Sequence, residues 1–194
     1  TKKNDAVRRC TSEGYECEKI SIEKLKHFVS KEAFNIDGFG KKIVENFWKL
    51  KLIRLPQDIF QLDFNKIENL DGWGKQSVAN LKYSIEQKKN ISLDRFIYSL
   101  GIRHIGLENA KLLSKYFKSF SKFKSLSENN KFDELLNIDG IGETQVNSVQ
   151  NFFSNKINMD VLEKLQKILT IKNTLIEKRG GLLNNQKFML TGKL

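Results

Sequence analysis

Apolar residues recur along this chain at helical spacing, in four blocks. Ile43, Phe47 and Leu50 form the first, and Val78, Leu81 and Ile85 the second. Ala110, Leu113 and Phe117 form the third, and Val146, Val149 and Phe153 the fourth. Offsets of three or four residues, then seven, place each trio on one helix face. A shorter apolar cluster precedes each block: Phe28 and Val29, Phe60 and Leu62, Phe96 and Ile97, Leu135 and Leu136. Between cluster and block stands a short glycine motif. It reads Asn-Ile-Asp-Gly-Phe-Gly at 35–40, Asn-Leu-Asp-Gly-Trp-Gly at 69–74 and Asn-Ile-Asp-Gly-Ile-Gly at 137–142. A weaker copy, Ile-Arg-His-Ile-Gly, occupies 102–106. Aligning Gly38, Gly72, His104 and Gly140 gives successive steps of 34, 32 and 36 residues. The pattern predicts a mainly α chain in which the unit helix, tight hairpin, helix occurs four times.

Other signals punctuate this array. The single proline, Pro56, falls between the first and second units, where it ends or starts a helix. Residues 121–131 are rich in Ser, Lys and Asn and read as a connector. Gly180 and Gly181 break the helical pattern, and residues 187–192 read as a short strand.

Charge narrows the class of partner. The 194 residues carry 34 Lys and Arg against 23 Asp and Glu, a net of +11, with 39% hydrophobic residues including 14 Phe. A core is affordable, and the basic balance points to a polyanion. A Lys-rich solvated surface is the plainer explanation of the same charge. No apolar run approaches the ~20 residues of a membrane-spanning helix. Cys10 and Cys17 are the only cysteines, too few for a disulfide framework and suited to a reducing cytoplasm.

The glycine hairpins supply the candidate chemistry. Glycine admits backbone conformations closed to other residues and lets a phosphate reach the main chain. The helix that follows presents free N–H groups and the positive end of its dipole. The apolar residue inside each hairpin (Phe39, Trp73, Ile105, Ile141) is expected to pack inward and lock the helices. The candidate DNA contacts are therefore Gly38, Gly40, Lys41, Lys42, Gly72, Gly74, Lys75, Arg103, Gly106, Gly140 and Gly142. Contacts of this kind read no base sequence. The first two hairpins, followed by Lys41, Lys42 and Lys75, are expected to grip more than the last two. His104 replaces a glycine in the third, and Glu108 and Glu143 stand where a phosphate would dock. Asp37, Asp71 and Asp139 read as turn or capping residues, since three carboxylates in three turns make no paired site. A tetratricopeptide-like protein-binding scaffold shares the period of ~34 residues but needs no glycine pair. The Asn-x-Asp-Gly quartets are not nucleotidyltransferase Lys-x-Asp-Gly sites, because Asn35, Asn69 and Asn137 stand where the nucleophilic lysine would be.

Several segments resemble the bacterial NAD-dependent DNA ligases, in that family's order. They are Arg9-Cys10-Thr11, Leu25 to Ser30 with Phe34 to Gly40, Phe96 to Gly106, and Phe188 to Gly192. The resemblance implies three regions: residues 1–22 as the remnant of a four-cysteine zinc finger, 23–170 as a helix-hairpin-helix domain of four repeats, and 171–194 as a linker and the first strand of a BRCT domain. It implies that Cys10 and Cys17 are half of a zinc site whose other pair would lie before Thr1, so the chain alone is expected to hold no tight zinc. The parent enzyme is expected to seal nicks in duplex DNA with NAD and magnesium during replication and repair, as a cytoplasmic, nucleoid-associated protein. The chain itself is expected to be a truncated, inactive, monomeric DNA-binding segment. The alternative is a stand-alone, non-enzymatic helix-hairpin-helix module.

Overall fold

The computed structural model describes Tyr15 and residues 17–175. Cys10, Gly180, Gly181 and the strand expected at 187–192 lie outside these residues. The fold is mainly α. Helix α1 spans Glu18–Val29 and α2 Lys41–Lys49. A 3-10 turn at Pro56–Gln61 leads to α3 (Phe64–Glu68) and α4 (Lys75–Gln87). Strand β1 (Asn90–Ser92) then enters α5 (Leu93–Ser99), followed by α6 (Leu107–Phe117) and α7 (Phe120–Asn129). A second 3-10 turn at Phe132–Asn137 precedes α8 (Glu143–Ser154), α9 (Lys156–Ile168) and β2 (Thr170–Lys172).

The four hairpins connect α1 to α2, α3 to α4, α5 to α6, and the second 3-10 turn to α8. The leading helix is thus full-length only in the first unit. Pro56 opens its 3-10 turn, where a missing N–H costs nothing. Asp58 closes that turn by accepting from the Arg54 and Leu55 amides at 2.8 Å each.

The connector expected at 121–131 is instead a helix, α7. Ser119 caps it through the Lys122 amide, and Phe120, Phe123 and Leu126 are buried at a spacing of three. Its Ser and Lys residues are the solvent face of an amphipathic helix, which composition alone mistakes for a loop. Two positions of the expected apolar pattern also face water. Leu50 is 44% exposed at the end of α2, and Leu136 is 48% exposed in the second 3-10 turn. Val44, Phe47 and Trp48 carry the buried face of α2, so the stripe is turned by one residue from the expected Ile43-Phe47-Leu50.

The phenylalanines make the core continuous. Phe28 stacks on Phe34 at 4.3 Å, and Phe34 meets Phe60 at 5.4 Å. Phe96 meets Phe120 at 5.1 Å, and Phe123 meets Phe153 at 5.3 Å. The expected inner faces of α4, α6 and α8 are all buried. Strands β1 and β2 pair in parallel, joining the end of the second unit to the end of the fourth. Helix α9 packs on the Pro56–Gln61 turn, which opens the second unit, and ties the fourth unit to it there as well.

Hairpin glycines enter this packing unequally. A Cβ at Gly140 would lie 3.1 Å from Leu112 Cδ1, and one at Gly38 would lie 4.0 Å from Leu81 Cδ1. Both glycines have a left-handed φ, +90° and +78°. Gly140→Ala therefore adds crowding to backbone strain. It should lower stability by roughly 1–3 kcal/mol, and by more than Gly38→Ala. Urea unfolding of the two variants checks this, and a Gly140→Ala midpoint equal to that of the parent chain would refute it.

Candidate nucleic-acid interface

The four hairpins share one backbone turn. The amide of Phe39 donates to Ile36 O at 3.2 Å, and that of Trp73 to Leu70 O at 3.1 Å. Ile105 donates to Ile102 O at 3.1 Å and Ile141 to Ile138 O at 3.0 Å. In each turn the third residue is left-handed: Gly38 at +78°, Gly72 at +79°, His104 at +62° and Gly140 at +90°. An i to i+3 bond with positive φ at the third position is the requirement of a type II turn. The sequence alignment of these four residues is thus an alignment of conformations, and His104 meets the demand without being glycine. Phe39, Ile105 and Ile141 are buried behind their turns, while Trp73 is half-buried against Phe47 at 5.5 Å.

The second glycine of each motif does something different. Gly40, Gly74, Gly106 and Gly142 are the N-caps of α2, α4, α6 and α8, all with negative φ that any residue adopts. A Cβ at Gly40, Gly74 or Gly106 would touch nothing within 4 Å. Neither backbone strain nor packing therefore requires glycine at these three positions. A glycine cap also brings no side-chain acceptor, so the first-turn N–H groups of α2, α4 and α6 stay open to an outside one. The fourth hairpin is partly closed, because Gln145 Oε1 accepts from the Gly142 amide at 3.2 Å.

Charge follows the same division. Lys41, Lys42 and Lys75 are exposed and form no ion pair among the described residues. Lys26 supports that end of the molecule by bridging Glu23 and Glu45, at 2.6 and 2.7 Å. Those two contacts hold the Lys26 ammonium above its usual pKa and the Glu45 carboxyl below its own. Glu45 is thereby engaged one turn past Lys41 and Lys42. Arg103 is exposed on the third hairpin. Glu108 pairs with Lys111 at 2.7 Å, and Asn109 Nδ2 donates to His104 O at 3.0 Å. Glu143 is exposed at the head of α8.

Hairpins one and two flank a common cleft of about 530 Å³, lined by Asp37, Gly38, Gly72, Trp73, Ser77 and Asn80 among others. Ser77 and Asn80 escaped the sequence reading. Their signal is a polar pair one turn apart on α4, just after Gly74. The three hairpin aspartates are exposed turn residues whose side chains cap no helix, so the turn half of their expected role is the one observed. His27 is a strut, with Nε2 2.7 Å from Tyr98 O and its ring 4.6 Å from the Tyr98 ring. Cys17 is a half-buried free thiol at the head of α1. Among the described residues no three His, Cys, Asp or Glu side chains gather as a metal site, and no helix is long and apolar enough to cross a membrane.

A family model described as a helix-hairpin-helix motif matches residues 95–162, which hold the third and fourth hairpins. The chain is also similar along its length to curated proteins named DNA ligase. That of Pelagibacter ubique is 66% identical over 194 residues, covering 100% of this chain. Those of Rickettsia canadensis and Wolbachia pipientis are 41% and 42% identical over 98% of it. The chain matches a segment of proteins of the DNA ligase family. It spans 29–30% of the length of these relatives.

Within this ligase segment, the two glycines of a motif separate folding from exposure. Replacing Gly40 and Gly74 with alanine should leave the fold intact and shift its stability by less than about 1 kcal/mol per site, since the tighter unfolded chain and alanine's weakness as an N-cap relative to glycine oppose each other. Thermal melting of the double variant tests this, and a loss of stability beyond that range would show that the caps are needed for the fold.

Proposed function

We propose that this ligase segment holds duplex DNA by its phosphate backbone, without reading base sequence. The observation that carries the proposal is the row of glycine-capped helix starts at α2, α4 and α6, whose N–H groups have no side-chain acceptor of their own. A phosphate set against such a start accepts from main-chain N–H groups and meets the positive end of the helix dipole. The net charge of +11 adds long-range attraction. The whole-chain similarity to DNA ligases favours this over a stand-alone module, and the glycine caps favour it over a protein-binding scaffold.

In this proposal the first two hairpins carry most of the grip. Lys41 and Lys42 reinforce Gly38 and Gly40, and Lys75 reinforces Gly72 and Gly74. The third contributes Arg103 and Gly106 beside a glutamate engaged by Lys111. The fourth, through Gly140 and Gly142, serves more for packing. There Gln145 already takes one amide and Glu143 repels a phosphate.

The parent enzyme, on the same proposal, seals nicks in replication and repair as an NAD-dependent ligase acting in the cytoplasm at the nucleoid. Bound NAD would supply an adenylyl group. The 194-residue chain has no Lys-x-Asp-Gly, so none of its residues is assigned to that step. Magnesium would assist the parent and is given no ligand here. Cys17 is a free thiol able to serve as one zinc ligand, with Cys10 proposed as a second. The segment acts as a monomer.

Lys41→Glu combined with Lys42→Glu should weaken duplex binding by about tenfold or more and reduce the salt slope by roughly two. Glu143→Ala combined with Thr144→Ala should leave binding unchanged or slightly tighter. Fluorescence anisotropy over a salt series, with folding verified by circular dichroism, decides the ranking. Greater damage from the second pair would reverse it, and salt-independent binding by the parent chain would end the backbone reading. Incubated with NAD, the purified chain should gain no AMP, and a covalent adduct in its mass spectrum would contradict the assignment.

A further inference from the structure

Hairpin one reaches α2 from a loop, residues 30–35, that folds back on the end of α1. The Phe34 amide donates to Phe28 O at 3.1 Å, and the Asn35 amide to Ser30 O at 2.8 Å. Asn35 itself is left-handed, with φ +50°. The fold leaves the carbonyls of Lys31 and Ala33 without a backbone donor among the described residues. One side chain satisfies both. Arg95 Nε donates to Ala33 O at 2.8 Å, and Arg95 Nη2 donates to Lys31 O. Arg95 lies on α5, the leading helix of hairpin three, and more than sixty residues separate it from these carbonyls.

We infer that Arg95 is a positioning residue for the DNA interface, setting hairpin one relative to hairpin three through its two carbonyl contacts. The inference rests on the proposed binding of DNA by these hairpins. The chemistry suits the task. A guanidinium is a planar fork with several donors, so two carbonyls fix its plane and it fixes them. A lysine keeps the charge but offers a flexible point donor and holds such a pair poorly. The rest of the α1–α5 contact, through His27 and Tyr98, braces the helix and not the loop. Ala33 is fully buried and Phe34 stacks on Phe28, so the loop has a definite seat from which Arg95 can release it.

Arg95→Lys preserves net charge, so its effect on DNA binding reads geometry. It should weaken duplex binding about threefold to tenfold, with the protein still fully folded at the assay temperature. In the background of Lys41→Glu with Lys42→Glu, where hairpin one is already disabled, the same change should add less than about twofold. Against Lys75→Glu, on hairpin two, its effect should multiply in full. Hydrogen exchange gives a readout free of DNA. The amides of Phe34, Asn35, Ile36 and Phe39 should exchange about tenfold faster in Arg95→Lys, while Trp73 and Ile141 keep their parent rates. Uniform acceleration at all six amides would make Arg95 a general stabiliser and overturn the inference. So would unchanged exchange, or a full multiplicative loss in the Lys41, Lys42 background. If those two lysine changes alone left DNA binding intact, the proposed role of hairpin one would fail, while the exchange pattern would still decide whether Arg95 positions it.

Discussion

Everything at the hairpin face depends on one backbone event: a left-handed residue at the third position of each hairpin turn. That residue reverses the chain in four residues and starts the next helix at once. Without the reversal, the apolar residue behind it could not reach the core, and the helix N-terminus would not face outward. Gly38, Gly72 and Gly140 meet the demand at little cost, because they have no Cβ. His104 meets it at φ +62° with its side chain exposed, and its carbonyl is held by Asn109. The hydrogen bond across the turn survives the substitution at 3.1 Å, equal to that of hairpin two. Surrounding packing can therefore over-determine the turn even where glycine is absent.

Four such units do not form a solenoid with free ends. Strands β1 and β2 close the end of the second unit on the end of the fourth, and α9 lies against the turn that opens the second unit. Helix α5 joins the halves again, through His27 on one side and Arg95 on the other. A hairpin that binds a repeating backbone must keep its distance from its neighbours, because phosphates recur at fixed spacing along a strand. Rigidity between hairpins is thus part of the chemistry, and it comes from contacts far from the glycines themselves.

Local signals made most of the hairpins legible in the sequence. Glycine position, the apolar residue between the glycines and the helical stripe after them all lie within one repeat. They agree with each other in three units of four. Where the structure departs from the sequence pattern, the deciding contact comes from elsewhere. Helix α7 looked like a connector because its polar face is long, yet Phe120, Phe123 and Leu126 find a core made by α6 and α8. The stripe of α2 shifted from Leu50 to Trp48, whose indole donates to Glu18 at 3.1 Å and lies under Arg54 at 4.3 Å. Arg95 carried no signal at all, since nothing local distinguishes an arginine that closes two distant carbonyls from one that faces water. Gln145 differs, because a Gln three residues past an N-cap is a local signal for a side chain that turns back onto the cap amide.

The two glycines of each motif also explain why such a hairpin tolerates drift unevenly. The first answers to the turn, and a side chain there must accept a left-handed backbone. The second answers to nothing inside the protein at Gly40, Gly74 and Gly106, where a Cβ would point into open space. With packing and strain set aside, what remains to favour glycine is the helix start itself and whatever docks there from outside. Small size there leaves the main chain reachable, and an absent cap leaves its N–H groups unclaimed. The third unit has replaced its first glycine and retained its second. That is the order expected if the fold can compensate for a strained turn through packing, while nothing within the fold can clear a path to a blocked helix start.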